Sequence, residues 1–122
     1  MDPVTGLSLG RIAIGAVAFA APETGTKLFG FDPQANPQLG MFGRLFGARE
    51  IALGAITLVS SGSLRRNLTW VGMAVDGADA ASAVVETSQG NIPKMAGGPM
   101  MGVALGAVAA GAAALAINRG KR

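Results

Sequence analysis

Cysteine, histidine and tyrosine are absent from the 122-residue chain, and aromatic residues make up only 5% of it. No disulfide framework, thiol nucleophile, zinc-thiolate centre or histidine-based triad can be built from such a sequence. The usual hydrogen and electron relay groups of a redox enzyme are missing as well. Charge is scarce too, at 14% of residues, against roughly 25% in an ordinary soluble domain. The pI of about 10.2 comes from arginines scattered along the chain, not from one contiguous basic patch, which excludes a nucleic-acid binder. The expectation is a protein with no catalytic residues, no cofactor and no metal.

What the chain does have is apolar mass. Half of the residues are hydrophobic and 19 are glycine, so disorder is excluded. The mean hydropathy of +0.44 is modest because much of that mass is alanine and glycine. The deciding stretch is Met95 to Asn118, about 24 positions without a charge. A hydrocarbon core of ~30 Å needs about 20 helical residues, and a soluble surface helix would show a polar face. With that anchor three further spans become readable, giving helices at about 4–21, 39–60, 68–88 and 96–117. The expected fold is all-α: a single transmembrane domain over residues 1–122, folded as an integral membrane four-helix bundle.

Turn chemistry separates the spans. Pro22, Gly25, Gly30, Asp32-Pro33 and Asn36-Pro37 mark the first connection. Ser60 to Ser63 mark the second, with Asn67 as the next helix start, and Gly90 to Pro93 mark the third. Leu28, Phe29 and Phe31 suit a short interfacial piece in the first connection. Arg65 and Arg66 in the second connection, with Arg119, Lys121 and Arg122 in the tail, outnumber Lys27 and Lys94. The positive-inside rule then makes that connection and both termini cytoplasmic. Trp70 becomes an interfacial anchor on that side. Residues 1–22 read as a retained span and not a signal peptide, because no positive charge precedes the apolar run and Arg11 interrupts it.

Charges within the spans should face inward and pair, since each costs about 2.5–3.5 kcal/mol at a helix centre. They are Arg11, Arg44, Arg49, Glu50, Asp76 and Asp79, with Glu86 towards the outer side. At a rise of about 1.5 Å per residue, Arg49 and Glu50 share a level near the midplane with Asp76 and Asp79. The expected pairs are Arg49 with Asp79 or Asp76, Arg11 with Asp76, and Arg44 with Glu86. Gly72, Asp76, Asp79, Ala83 and Glu86 repeat at helical spacing on one face. Three carboxylates on one face suit either a cation path or a set of answers to the arginines; the equal number of basic and acidic groups favours the second. A metal held by Glu50, Asp76 and Asp79 would lack any histidine or second carboxylate cluster to support it.

Small-xxx-small patterns occur at Gly6/Gly10, at Gly43/Gly47 and along Gly98, Gly102 and Gly106. In lipid such stripes let helix backbones approach, and the last is a candidate docking face for another membrane protein. The run Gly43-Arg44-Leu45-Phe46-Gly47-Ala48-Arg49-Glu50-Ile51-Ala52-Leu53-Gly54 resembles the second-helix signature of small four-helix actinobacterial membrane proteins of unknown function. Gly10-Arg11 to Ala20 is similar to the first helix of the broader DoxX-like group. The resemblance covers about the first half of the chain and implies a compact membrane fold with no agreed reaction. It also suggests an accessory subunit of a larger envelope machine, such as a mycobacterial Mce-type lipid importer.

Two functions follow as expectations for a multi-pass protein of the inner (plasma) membrane. One is a non-catalytic accessory subunit of a larger integral membrane complex, with the lipid bilayer as its medium and homo-oligomers allowed. The other is a small proton- or cation-coupled carrier working through the intramembrane carboxylates. The topology is open to direct test. With Ser61→Cys and Asn91→Cys made singly, an impermeant thiol reagent on intact cells should label only the second; labelling of the first alone reverses the orientation.

Overall fold

The computed structural model describes residues 2–120, with side chains through Ile117, so of the basic tail Lys121, Arg122 and the side chain of Arg119 lie outside the described residues. The described chain is all-helical, without strands: α1 (Pro3–Ala20), α2 (Pro22–Leu28), α3 (Leu39–Val59), α4 (Gly62–Ser88) and α5 (Lys94–Gly120). Four helices are long, and α2 is the short piece in the first connection. It ends at Leu28, so Phe29 and Phe31 lie beyond it.

Helix starts follow local chemistry. Asp2 caps α1 by accepting the backbone N–H of Val4 at 3.1 Å, and Pro3 occupies the first helical position. The α3–α4 connection is tighter than the sequence suggests: α4 begins at Gly62, not Asn67. Gly62 adopts φ +62°, a left-handed conformation that glycine enters without a Cβ penalty. The chain therefore reverses at once after Ser60 and Ser61, and Arg65 and Arg66 become helical residues. Pro99 lies inside α5 and has no N–H to give the carbonyl of Met95. Gly30 of the loop, at φ +84°, packs against that carbonyl; a Cβ there would stand 3.1 Å from the Met95 oxygen.

Consecutive long helices run antiparallel. Gly15 faces Gly47 and Ser8 faces Gly54 across α1 and α3, while Gly97 faces Thr87 and Gly111 faces Met73 across α5 and α4. These two pairs are the closely packed ones, and they meet each other more loosely, α1 against α5 and α3 against α4. Buried positions recur every three or four residues: Val4, Ser8, Arg11, Gly15 and Ala18 on α1, and Gly47, Glu50, Gly54 and Thr57 on α3. This alternation of three and four is the a/d spacing of closely paired helices.

The contents of those seams invert the usual arrangement. Among the described residues the buried apolar side chains are Val4 and six alanines, whereas Ser8, Arg11, Glu50, Thr57, Thr69 and Asp76 are all buried. Phe19, Leu45, Ile56, Val84 and Leu105 are exposed. Two helices, Pro3–Ala20 and Lys94–Ile117, are long and apolar enough to cross a membrane, and little of either is buried against the rest of the chain.

The expected glycine stripes divide accordingly. Gly43 packs on Pro22 and Gly47 on the α1 backbone, but Gly10 has nothing within 4 Å of a built Cβ, and nor have Gly98, Gly102 and Gly106. Replacing Gly47 by alanine would set a Cβ 2.5 Å from the Gly15 oxygen and 2.7 Å from the Phe19 nitrogen, overpacking that costs about 1–3 kcal/mol. Gly10→Ala meets no neighbour and should gain up to about 1 kcal/mol of helix propensity. Denaturation in detergent followed by circular dichroism should separate the two in opposite directions. Equal effects would contradict the α1–α3 contact.

Candidate functional site

The seam positions of α1, α3 and α4 deliver three charged side chains to one point. Arg11 is 8% exposed, Glu50 5% and Asp76 4%. The guanidinium of Arg11 donates from Nη1 to Glu50 Oε2 at 2.8 Å and to Asp76 Oδ1 at 3.0 Å, and from Nη2 to Asp76 Oδ2 at 2.5 Å. The Asp76 contact is bidentate, the geometry that best suits a planar guanidinium. Gly72 makes it possible, because a Cβ there would lie 2.7 Å from Arg11 Nη2.

A second arginine extends the network towards the surface. Arg49 donates from Nη1 to Asp79 Oδ1 at 3.2 Å and from Nη2 to Asp79 Oδ2 at 2.5 Å, with a longer contact of 3.4 Å to Glu50 Oε1. Its guanidinium lies over the Phe46 ring, 5.1 Å from the centroid, within cation–π range. This pair is less enclosed: the side chains of Arg49 and Asp79 are 38% and 30% exposed.

Of the residues expected to form an intramembrane charge network, the structure therefore joins Arg11, Arg49, Glu50, Asp76 and Asp79. Arg44 and Glu86 stand apart, both exposed and not paired with each other. The reason is angular. Arg44 precedes Arg49 by five residues, about 140° around a helix of 3.6 residues per turn, so it points away from the face that meets α4. The balance read from the sequence fails with it. Without Arg44, two arginines face three carboxylates. Glu50, Asp76 and Asp79 each place an oxygen within 4.8 Å of the others. That spacing suits a cation, but the arginines already engage all three carboxylates.

Sequence reading missed the hydroxyls and the latch that extend this network. Ser8, Thr57 and Thr69 are buried beside it. Ser8 lies three residues from Arg11, and Thr57 and Thr69 lie seven from Glu50 and Asp76; continuing the heptad from the charges would have found them. Arg65 donates to the Thr57 carbonyl at 2.8 Å, to Asp2 Oδ2 at 2.9 Å and to Thr5 Oγ1 at 2.8 Å. It thus joins the Ser60 N–H and hydroxyl at the Thr57 carbonyl, adding a cation at the C-terminus of α3, and ties the start of α1 to α4. No signal short of the folded chain links Asp2 to Arg65.

The family model for the domain of unknown function DUF4267 matches residues 8–117, a span that includes the whole charge network. The chain belongs to that family. No curated protein and no solved structure matches it.

The two arginines should differ in weight. Arg11→Ala strands two buried carboxylates and should cost about 3–5 kcal/mol of unfolding free energy. Arg49→Ala leaves the half-exposed Asp79 and should cost less. Combining Arg49→Ala with Asp79→Ala should recover about 0.5–3 kcal/mol relative to the summed single changes, measured by unfolding in detergent. Strict additivity would speak against the pair.

Proposed function

We propose that this member of the DUF4267 family is a multi-pass protein of the inner (plasma) membrane, a four-helix bundle with both termini cytoplasmic, acting as a non-catalytic accessory subunit of a larger integral membrane complex. The observation that carries the membrane part is the inverted distribution of polarity. Large apolar side chains such as Phe19, Ile56 and Leu105 are exposed, while Arg11, Glu50 and Asp76 are buried and paired. Water would reward the opposite arrangement, and lipid rewards this one. By themselves α3 and α4 carry too much charge for simple spans, but each central charge is ion-paired with a neighbouring helix, so both can lie in the bilayer with α1 and α5.

The accessory role is supported by the outer face of α5. Gly98, Gly102 and Gly106 all have open space where a Cβ would stand, a surface on which another helix can approach closely. The resemblance of the first two helices to the DoxX-like group suggests a larger envelope machine, with an Mce-type lipid importer as the first complex to examine, and a second copy of the chain is the competing occupant. One observation favours the alternative, a proton- or cation-coupled carrier: three carboxylates converge with only two arginines to answer them.

Two sets of variants divide these readings. Gly102→Leu and Gly106→Leu should release a co-purifying membrane complex at least about tenfold while the isolated protein stays folded, since a bulky side chain holds a neighbouring backbone away. Asp76→Asn with Asp79→Asn should leave co-purification unchanged in whatever fraction folds. If the amide changes instead abolish ion-driven uptake in sealed vesicles and the leucine changes retain every partner, the carrier replaces the subunit.

A further inference from the structure

Beside the Arg11 network, on the side of the Arg65 latch, lies a crevice between α1, α3 and α4. Its lining includes Ser8, Arg11, Leu53, Thr57, Thr69 and Gly72. The hydroxyls in it are not equivalent. Thr57 donates to the Leu53 carbonyl at 2.7 Å and Thr69 to the Arg65 carbonyl at 2.9 Å. This is the ordinary recourse of a helical hydroxyl, the carbonyl one turn back, and Ser82 and Thr87 take it too. Ser8 does not. It is 2% exposed, it faces the crevice, and among the described residues its hydroxyl has no hydrogen-bond partner.

Ser8 is buried as a residue, and the little surface it keeps lies where it lines this crevice; a hydroxyl so nearly enclosed is costly unless something answers it. Size decides what. The cavity measures about 10 Å³, close to the ~10–15 Å³ that one water molecule requires, and too small for a headgroup or an organic ligand. Chemistry agrees. Ser8 can donate, and the threonine oxygens keep lone pairs that can accept. The Arg11 guanidinium, whose bonds to Glu50 and Asp76 use three of its five hydrogens, has donors to spare. A water molecule needs two to four such partners.

We infer that this crevice is the binding site of one internal water molecule, held by Ser8, Thr57, Thr69 and Arg11 where α1, α3 and α4 meet. The water joins the polar column that begins at Arg65 and continues through Arg11 to Asp79. It hydrates Arg11 on the side that the carboxylates leave open. The inference is independent of the membrane reading, since it rests only on the interior of the chain.

The absence of cysteine supplies the test. A single introduced thiol gives the only S–H stretching band in the infrared spectrum, and its conversion to S–D after transfer to D₂O reports contact with exchangeable water. Ser8→Cys, close to isosteric, should exchange at least about tenfold faster than Ala83→Cys, a control at a buried position of α4 with the same need for local opening. Thr57→Cys, on the opposite wall, should exchange as fast as Ser8→Cys and serves if that variant folds poorly. Adding Thr57→Val to Ser8→Cys keeps the shape but removes a partner of the water, and should slow exchange towards the control. Crevice thiols no faster than Ala83→Cys, or an Ser8→Cys rate unmoved by Thr57→Val, would overturn the site.

Discussion

Arg11 reaches from α1 to carboxylates on α3 and on α4, and the rest of the structure is arranged around that reach. A guanidinium that is 8% exposed cannot deprotonate and cannot stay unpaired. Its two partners come from helices that belong to different close-packed pairs. Satisfying Arg11 therefore docks α1 and α3 onto α4 and α5, where direct packing between the pairs is comparatively sparse. Glycine at position 72 is the corresponding vacancy: any side chain there would occupy the guanidinium's place.

Within each pair the cohesion is of another kind. Gly15, Gly47 and Gly54 bring the backbones of α1 and α3 so close that a Cβ at any of them would collide with main-chain or side-chain atoms. Such contacts gain dispersion energy without needing water to expel. Among the described residues the buried apolar side chains are one valine and six alanines, far too little for a hydrophobic core to organise the chain. Shape and charge do that work, which is also why large apolar side chains are left to face outward. A chain organised in this way is suited to a medium that rewards an apolar exterior.

The same economy bears on function. Both arginines are committed to carboxylates, so the charge network reads first as architecture. Its surplus of one carboxylate over the arginines nevertheless keeps ion coupling in view as the second reading. The outward glycine face of α5 is different: among the described residues nothing packs where a Cβ would stand at Gly98, Gly102 or Gly106, and small residues favour close approach by another helix. The family to which the chain belongs has no assigned activity, so these physical features carry the functional proposal.

The sequence by itself determined that four long helices form, what chemistry is missing, and that the charges sit at matching levels along them. Those properties are local or additive: apolar runs, turn residues, and a fixed rise per residue that converts position into depth. It also placed Arg49 level with Asp79 and Arg11 within reach of Asp76. Azimuth was decided elsewhere. Whether two residues at one level meet depends on how each helix is rotated about its axis, and that follows from which small residues let the backbones close. Arg44 was thereby turned away from Glu86, and Glu50 was brought to Arg11 as a second acceptor. The start of α4 was likewise a tertiary decision. The left-handed conformation at Gly62 and the bond from Arg65 to the α3 carbonyl exist only once α3 has ended beside it.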